Sequence, residues 1–148
     1  MPPRQKPKTL FDIKIERHLK ACGGRMTSVR RDVLNKMMTI KKPQTAYQLL
    51  SAVNKKRKSP LSAISLYRAL NFLIEAGVVL KIESQNTFWL CGSAAPHHNH
   101  VVTVCNTCGR VEEIDAHALT ALLKQTAKKH GHTLKHPVIE LHGTCKNC

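Results

Sequence analysis

No stretch of this chain approaches eighteen consecutive apolar residues, and its opening, MPPRQKPKTLFDIK, has no apolar core of the kind a secretion signal carries. A membrane span and an export signal are therefore not read here, and a cytoplasmic protein is expected. Acidic residues are scarce too: 9 Asp and Glu face 24 Lys and Arg, a formal net charge of +15. So many uncompensated cations point to a polyanion, most often nucleic acid, because neutralising phosphates releases counterions. Also missing is the HxE with PCxxC arrangement of the zinc deaminases, so neither an enzyme nor a small-molecule substrate is expected.

What is present is unevenly placed. Residues 1–88 hold 18 Lys and Arg against 5 Asp and Glu, whereas residues 89–148 hold 6 against 4. All histidines except His18 and all cysteines except Cys22 lie beyond residue 90. The chain thus divides into a basic lobe and a lobe of metal-ligand residues. In a reducing compartment, six cysteines that include two CxxC pairs suit metal binding or redox chemistry better than structural disulfides.

The basic lobe reads as helices followed by a hairpin. Ile13 and Leu19 mark a first amphipathic helix ended by Gly23-Gly24, and Thr27 suits the N-cap of a second through Val33, Leu34, Met37 and Met38. A third runs from about Thr45 through Leu49, Leu50 and Val53. The fourth, SPLSAISLYRALNFLIEAG, has Ser59 or Ser62 to cap it and Gly77 to end it. Its Leu66, Leu70, Leu73 and Ile74 share one face, leaving Ser65 and Arg68 on the other with Tyr67 at the edge. VVLKIE and TFWL, joined by Ser-Gln-Asn, then form a hairpin. Three helices and a hairpin in that order make a winged helix, whose last helix presents Ser65, Tyr67 and Arg68 to a major groove. The alternative for Tyr67 and Arg68 is a surface role supporting the hairpin.

In the second lobe, Val101–Val104, Val111–Ile114 and Val138–Leu141 read as strands, with a helix marked by Leu119, Leu122 and Leu123 between the last two. About sixty residues make a small core, and a cross-link would help it. Cys105 and Cys108, with Cys145 and Cys148, supply one: two CxxC turns offer four thiolates to a single tetrahedral zinc, and the last residue, Cys148, is itself expected to be pinned as a ligand. Between the lobes, CGSAAPHHNH offers Cys91, His97, His98 and His100, with Glu112 and Glu113 just past the first CxxC. Mixed thiolate, imidazole and carboxylate donors suit a second site for zinc or another late first-row metal, able to fix the two lobes in one orientation.

The winged helix with LYRAL in its fourth helix, the Cys and His clusters of the hinge, CxxCG and the terminal HGxCxxC together resemble the ferric uptake regulator family of bacterial metal-sensing repressors. KIESQNTFWLC and HPVIELHGTCKNC most resemble its zinc uptake regulator branch, and the likeness runs over residues 10–148. The resemblance implies an α+β protein with a winged-helix DNA-binding domain at 1–88, a ligand-bearing hinge at 89–100 and a small α/β dimerisation and metal-binding domain at 101–148. It implies a homodimer on double-stranded operator DNA, bound when a sensory zinc site is filled and released when zinc is scarce, so that zinc-uptake genes are repressed. By position, Cys105, Cys108, Cys145 and Cys148 match the structural zinc, one per chain. Cys91, His98 and Glu113 match a second, regulatory zinc, while Tyr67, Arg68 and Arg30 match DNA contacts. Leu80 stands where the zinc branch places a His or Asp ligand, so His100, with His97 behind it, is the expected replacement. Gln48 stands where some zinc regulators carry an acidic residue used between neighbouring dimers. A constitutive DNA-binding protein with a structural zinc only, and a regulator of iron or another divalent metal, are the competing readings.

Overall fold

Hydroxyl caps set where the first helices begin. The computed structural model describes residues 10–21, 23–40, 42–92, 100–134 and 138–148, with only the backbone of 10–12. Helix α1 spans Leu10–Ala21, α2 Ser28–Thr39, α3 Ala46–Asn54 and α4 Ala63–Glu75. The Thr27 hydroxyl accepts from the Arg30 amide at 3.3 Å, and Ser62 accepts from the Ser65 amide at 3.2 Å. Thr45 and Gln48 cap α3 reciprocally, Gln48 N donating to Thr45 Oγ1 at 3.2 Å and Thr45 N to Gln48 Oε1 at 2.9 Å. Each such cap is worth about 1 kcal/mol. Gln48 is thus occupied as a capping residue, which its neutral side chain does without adding charge.

The apolar stripes of these helices converge on one core that includes Ile15, Leu19, Val33, Leu49, Leu66 and Leu70, all at most 1% exposed. Each fully buried aliphatic side chain contributes roughly 1.5–3 kcal/mol. Gly24 serves this packing, since a Cβ there would run into the ring of Phe72.

Strands β1 (Val79–Ile82) and β2 (Thr87–Leu90) pair antiparallel around a three-residue 3-10 turn, Glu83–Gln85, closed by Asn86 at φ 49°. Asparagine tolerates that left-handed conformation because its short side chain bonds locally. Val79 pairs with Leu90 and Leu80 with Trp89, so the hairpin extends two residues beyond the expected domain boundary at 88. An isolated bridge between Gln44 and Phe88 ties the hairpin back to the entry of α3.

The second lobe is a three-stranded sheet in the order β4-β3-β5, built from β3 (His100–Cys105), β4 (Val111–Ile114) and β5 (Val138–Gly143). β3 runs antiparallel to β4 and parallel to β5, and the parallel step is bridged by α5 (His117–Lys129). His100 opens β3 and pairs with Val138, so it belongs to the sheet rather than to the hinge expected at 89–100.

Two features bear on function. First, the hairpin does not stand apart from the second lobe: Leu80, Ile82 and Cys91 bury against Val102, Val104 and Val111 in a second core that joins the lobes. Leu80, 2% exposed, fills space there as a hydrocarbon. Second, α5 buries only Thr120 among its thirteen residues, and Leu119 and Leu122 are exposed at 37% and 59%. No helix among the described residues is long and apolar enough to cross a membrane.

Candidate metal centres and nucleic-acid interface

Cys105 ends β3 and Cys108 follows one turn later, where Gly109 takes φ 72° and its amide donates to the Cys105 carbonyl at 2.9 Å. A side chain at that φ would be strained, so glycine suits the turn that brings two thiols to one point. Beyond β5, Cys145 and Cys148 form a second turn, with Cys148 N donating to the Cys145 carbonyl at 3.0 Å. Sulfur separations are 3.9 Å for Cys105–Cys148, 3.8 Å for Cys108–Cys145 and 3.5 Å for Cys145–Cys148. A disulfide needs about 2.05 Å between sulfurs. Four thiolates at about 2.3 Å from a tetrahedral zinc lie roughly 3.8 Å apart, so the set has the dimensions of a zinc tetrahedron. The amides of Cys108 (3.5 Å) and Cys145 (3.3 Å) point at Cys105 Sγ and draw that thiol down to about 5, favouring the thiolate. Beside the other sulfurs, the Cys148 thiol is pushed up to about 12. A cation among them offsets that repulsion.

The second cluster lies at the junction of the lobes. Cys91 directly follows β2, its amide donating to the Val78 carbonyl at 3.0 Å; His100 opens β3; Glu113 lies on β4. Cys91 Sγ is 3.6 Å from His100 Nδ1 and 3.8 Å from Glu113 Oε1. Those separations match the edges of a zinc tetrahedron with mixed donors, about 3.6 Å. His100 Nδ1 and Glu113 Oε1 are closer, 2.6 Å, in a direct hydrogen bond, and Glu113 Oε2 accepts from Gly92 N at 3.2 Å. Burial pulls the His100 imidazole down, but its bonds to Cys91 and Glu113 prevail and push it up to about 9. The same pairing with His100 holds the Glu113 carboxyl below the usual carboxylate range. A thiol, an imidazole and a carboxylate thus converge on one point, where a divalent cation with borderline-soft character would fit. His97 and His98 lie outside the described residues. Glu112 points elsewhere, pairing with Arg110 at 2.9 Å.

Two further contacts join the lobes through the turn of the hairpin. Glu140 Oε1 on β5 accepts from Glu83 N at 2.6 Å and Ser84 N at 3.4 Å, while its Oε2 is buried with His142 Nε2 3.2 Å away. Burial works against its ionisation, yet these donors hold the Glu140 carboxyl below the ordinary range. Beside it, Gln85 Nε2 donates at 3.1 Å to the carbonyl of Gly109, in the turn that carries Cys105 and Cys108.

The candidate nucleic-acid face combines α4 with the start of α2. Tyr67 is 45% exposed, with its ring edge-on to Phe88 at 6.4 Å, so its body supports the hairpin while much of the residue stays open. Arg68 is exposed and makes no ion pair with any described residue. Arg30 stacks 3.3 Å above the Phe72 ring and donates to the Arg25 carbonyl at 2.5 Å. Both arginines line a cleft of about 180 Å³ with Thr27, Val29, Ser65 and Ala69, a lining without a carboxylate. Ser65 is half-buried, its hydroxyl bonded to that of Ser62 at 3.0 Å, which makes it a part of the helix cap. Local sequence patterns do not reveal Glu140, whose partners are 56 and 57 residues away, or Tyr47, 81% exposed in the first turn of α3. An exposed aromatic beside a cap was the available signal for Tyr47.

Comparison with known proteins gives a consistent picture. The profile of the Ferric uptake regulator family matches residues 21–142. The Zinc uptake regulation protein of Escherichia coli (strain K12) is 36% identical over 125 residues, which are 84% of this chain and 72% of that protein. Among solved structures, a zinc uptake regulator complexed with zinc and DNA is similar at a TM-score of 0.78 and 34% identity, covering 95% of this chain and 96% of that one. The holo form of XcZur is similar at 0.79 and 31% identity (93% and 96% covered), and its apo form at 0.51 and 31% (90% and 92%). With the profile spanning most of the sequence and the fold matching over nearly all of it, the chain belongs to the ferric uptake regulator family.

Proposed function

We propose that this chain is a zinc-responsive transcriptional repressor that acts in the cytoplasm as a homodimer on double-stranded operator DNA and shuts off metal-uptake genes when zinc is plentiful. The observation that carries the reading is the position of the Cys91, His100 and Glu113 cluster. Its donors come from the end of the hairpin and from two strands of the other lobe, so one ion there would hold the DNA-reading helix in a fixed place. Cys105, Cys108, Cys145 and Cys148 would hold the structural zinc, one per chain, and a closed four-thiolate shell leaves no position for chemistry. Cys91, His100 and Glu113, completed by His97 or His98, would hold the regulatory zinc. A thiolate in that set favours zinc over iron or manganese.

The dimer reading rests on α5 and β5. A helix of thirteen residues that buries one of them has little reason to form alone, and β5 is an edge strand among the described residues, beside exposed Leu141. Both features are met if two copies pack α5 and β5 together. In this reading residues 1–90 form the DNA-binding domain, 91–99 the hinge and 100–148 the dimerisation domain. Zinc shifts the population toward docked lobes, setting two α4 helices to enter successive major grooves about 34 Å apart. The likeness to a holo rather than an apo relative supports taking the docked arrangement as the metal-loaded one.

The test is operator binding followed by fluorescence anisotropy as zinc is titrated. Wild-type affinity should rise with zinc, and a flat titration would remove the regulatory reading. Arg68→Ala should cost roughly 10- to 100-fold in affinity, with reduced discrimination between operator and random duplex, because a guanidinium on a base edge is worth about 1–3 kcal/mol. Glu140→Gln probes the junction: exchanging a charged acceptor for a neutral one costs about 1 kcal/mol, so operator affinity should fall about fivefold at saturating zinc. Zinc affinity at the regulatory site should fall as well, because in this reading the ion binds the docked lobes best. Equal zinc and DNA affinities in wild type and Glu140→Gln would show that this contact does not act on the docking of the lobes.

A further inference from the structure

The outward face of α4 carries more than the tyrosine and arginine already discussed. Ile64, Tyr67, Arg68 and Asn71 are all exposed and stand at helical positions i, i+3, i+4 and i+7, one continuous stripe. Ile64 is the anomaly in it. It is the second residue of the helix, directly after the Ser62 cap and Ala63, and it is 67% exposed, more than any large apolar side chain in the described residues except Tyr47. Nothing among the described residues rewards an aliphatic side chain there: the helix's buried stripe is Leu66, Ala69, Leu70 and Leu73, and a β-branched residue is a mediocre choice for an exposed helical turn.

A helix that enters a major groove does so with its first turns, and those turns reach the base edges. Among the groups on those edges, the thymine C5-methyl is the apolar one, and an aliphatic side chain is its natural complement. Ser65, the neighbour with hydrogen-bonding capacity, is engaged with Ser62 and is half-buried. Arg68 and Tyr67 sit one turn further along the same stripe, so a base contact by either brings Ile64 toward an adjacent base step. The basic balance of residues 1–88 makes DNA, rather than a protein or lipid, the occupant of this face.

We infer that Ile64 is a specificity-determining residue that recognises a thymine methyl group in each half-site of the bound DNA, one base step from the contact made by Tyr67 or Arg68. The inference rests on the operator-binding reading above and adds to it a chemical group that must be present in the operator.

The probe is a duplex selected from random-sequence DNA by the zinc-loaded wild-type dimer, remade with each thymine in turn replaced by deoxyuridine, which deletes only the methyl. Wild type should lose about fourfold in affinity at one thymine per half-site, the value of roughly one buried methyl. Ile64→Ala should bind the unmodified duplex more weakly by a similar factor and be indifferent to deoxyuridine at that position alone. Ile64→Val, which keeps the branched end, should retain most of the sensitivity. The variants should fold as wild type, since the side chain is exposed, and thermal melting checks this. An Ile64→Ala dimer with unchanged affinity, or with the wild-type deoxyuridine profile at every thymine, would overturn the assignment while leaving DNA binding intact. A wild-type dimer that selects no duplex would overturn the operator reading and this assignment with it.

Discussion

Replacing Cys105 with serine should remove one zinc per chain and unfold the C-terminal lobe, taking the dimer with it. Structural zinc in small modules contributes on the order of 10 kcal/mol, comparable to the whole stability of a domain this size. Cys105 is the most consequential of the four thiols because it is buried and accepts the amides of both turns, Cys108 N and Cys145 N. A serine oxygen is a poor zinc ligand and leaves the tetrahedron one donor short. The lobe has little else to hold it: the sheet has three strands and α5 buries one residue. Metal content by mass spectrometry, sedimentation velocity and far-UV circular dichroism should change together, toward a monomer with helices α1 to α4 retained, since those have their own core. A Cys105→Ser dimer that keeps its full zinc content would refute the four-cysteine assignment.

The second large effect is expected at the junction. Glu113→Gln conserves shape and leaves an oxygen to accept from Gly92 N, but it removes the negative charge from the cluster with Cys91 and His100. The dimer and its structural zinc should survive, whereas the rise in operator affinity on adding zinc, of order 100-fold for a typical allosteric coupling, should shrink to a few-fold. Cys91→Ser should give the same phenotype, with some loss of stability because Cys91 is 1% exposed in the core that joins the lobes. Binding isotherms with and without a zinc buffer decide the matter. If Glu113→Gln keeps the full zinc response, Glu113 is no ligand and the regulatory ion sits elsewhere.

Much of this was legible in the sequence, for identifiable reasons. Two CxxC pairs constrain their own geometry, because a tight turn leaves two thiols few places to go; the sulfurs of Cys105, Cys108, Cys145 and Cys148 lie within 4.8 Å of one another. Periodicity located α1 to α4 because one face of each meets a single core. What local sequence does not carry is non-local structure. The expected boundary at 88 cut the hairpin short because strand ends are fixed by cross-strand partners, here Val79 with Leu90. Leu80 looked like a gap in a ligand set, and its burial against Val102 and Val104 could not be seen from either segment alone. Helical phase places Ser65 outward with Arg68, but in the first turn a hydroxyl also serves the cap. Of the four candidate ligands in CGSAAPHHNH, Cys91 and His100 lie among the described residues, and it is the place of His100 at the start of β3, invisible to spacing, that sets it beside Cys91 and Glu113.

The core shared by hairpin and sheet would also give the proposed zinc sensing a thermal character. If metal loading docks the lobes, it removes Leu80, Ile82, Val102, Val104 and Val111 from water along with Cys91. Removing that hydrocarbon lowers the heat capacity, so the enthalpy of zinc uptake becomes more favourable as temperature rises, and the hydrophobic share of the driving force weakens on cooling. The zinc level at which such a repressor switches is then set partly by its ligands and partly by temperature. An aspartate or histidine at position 80 would shift that balance toward coordination chemistry, while leucine ties the set-point to the structure of water.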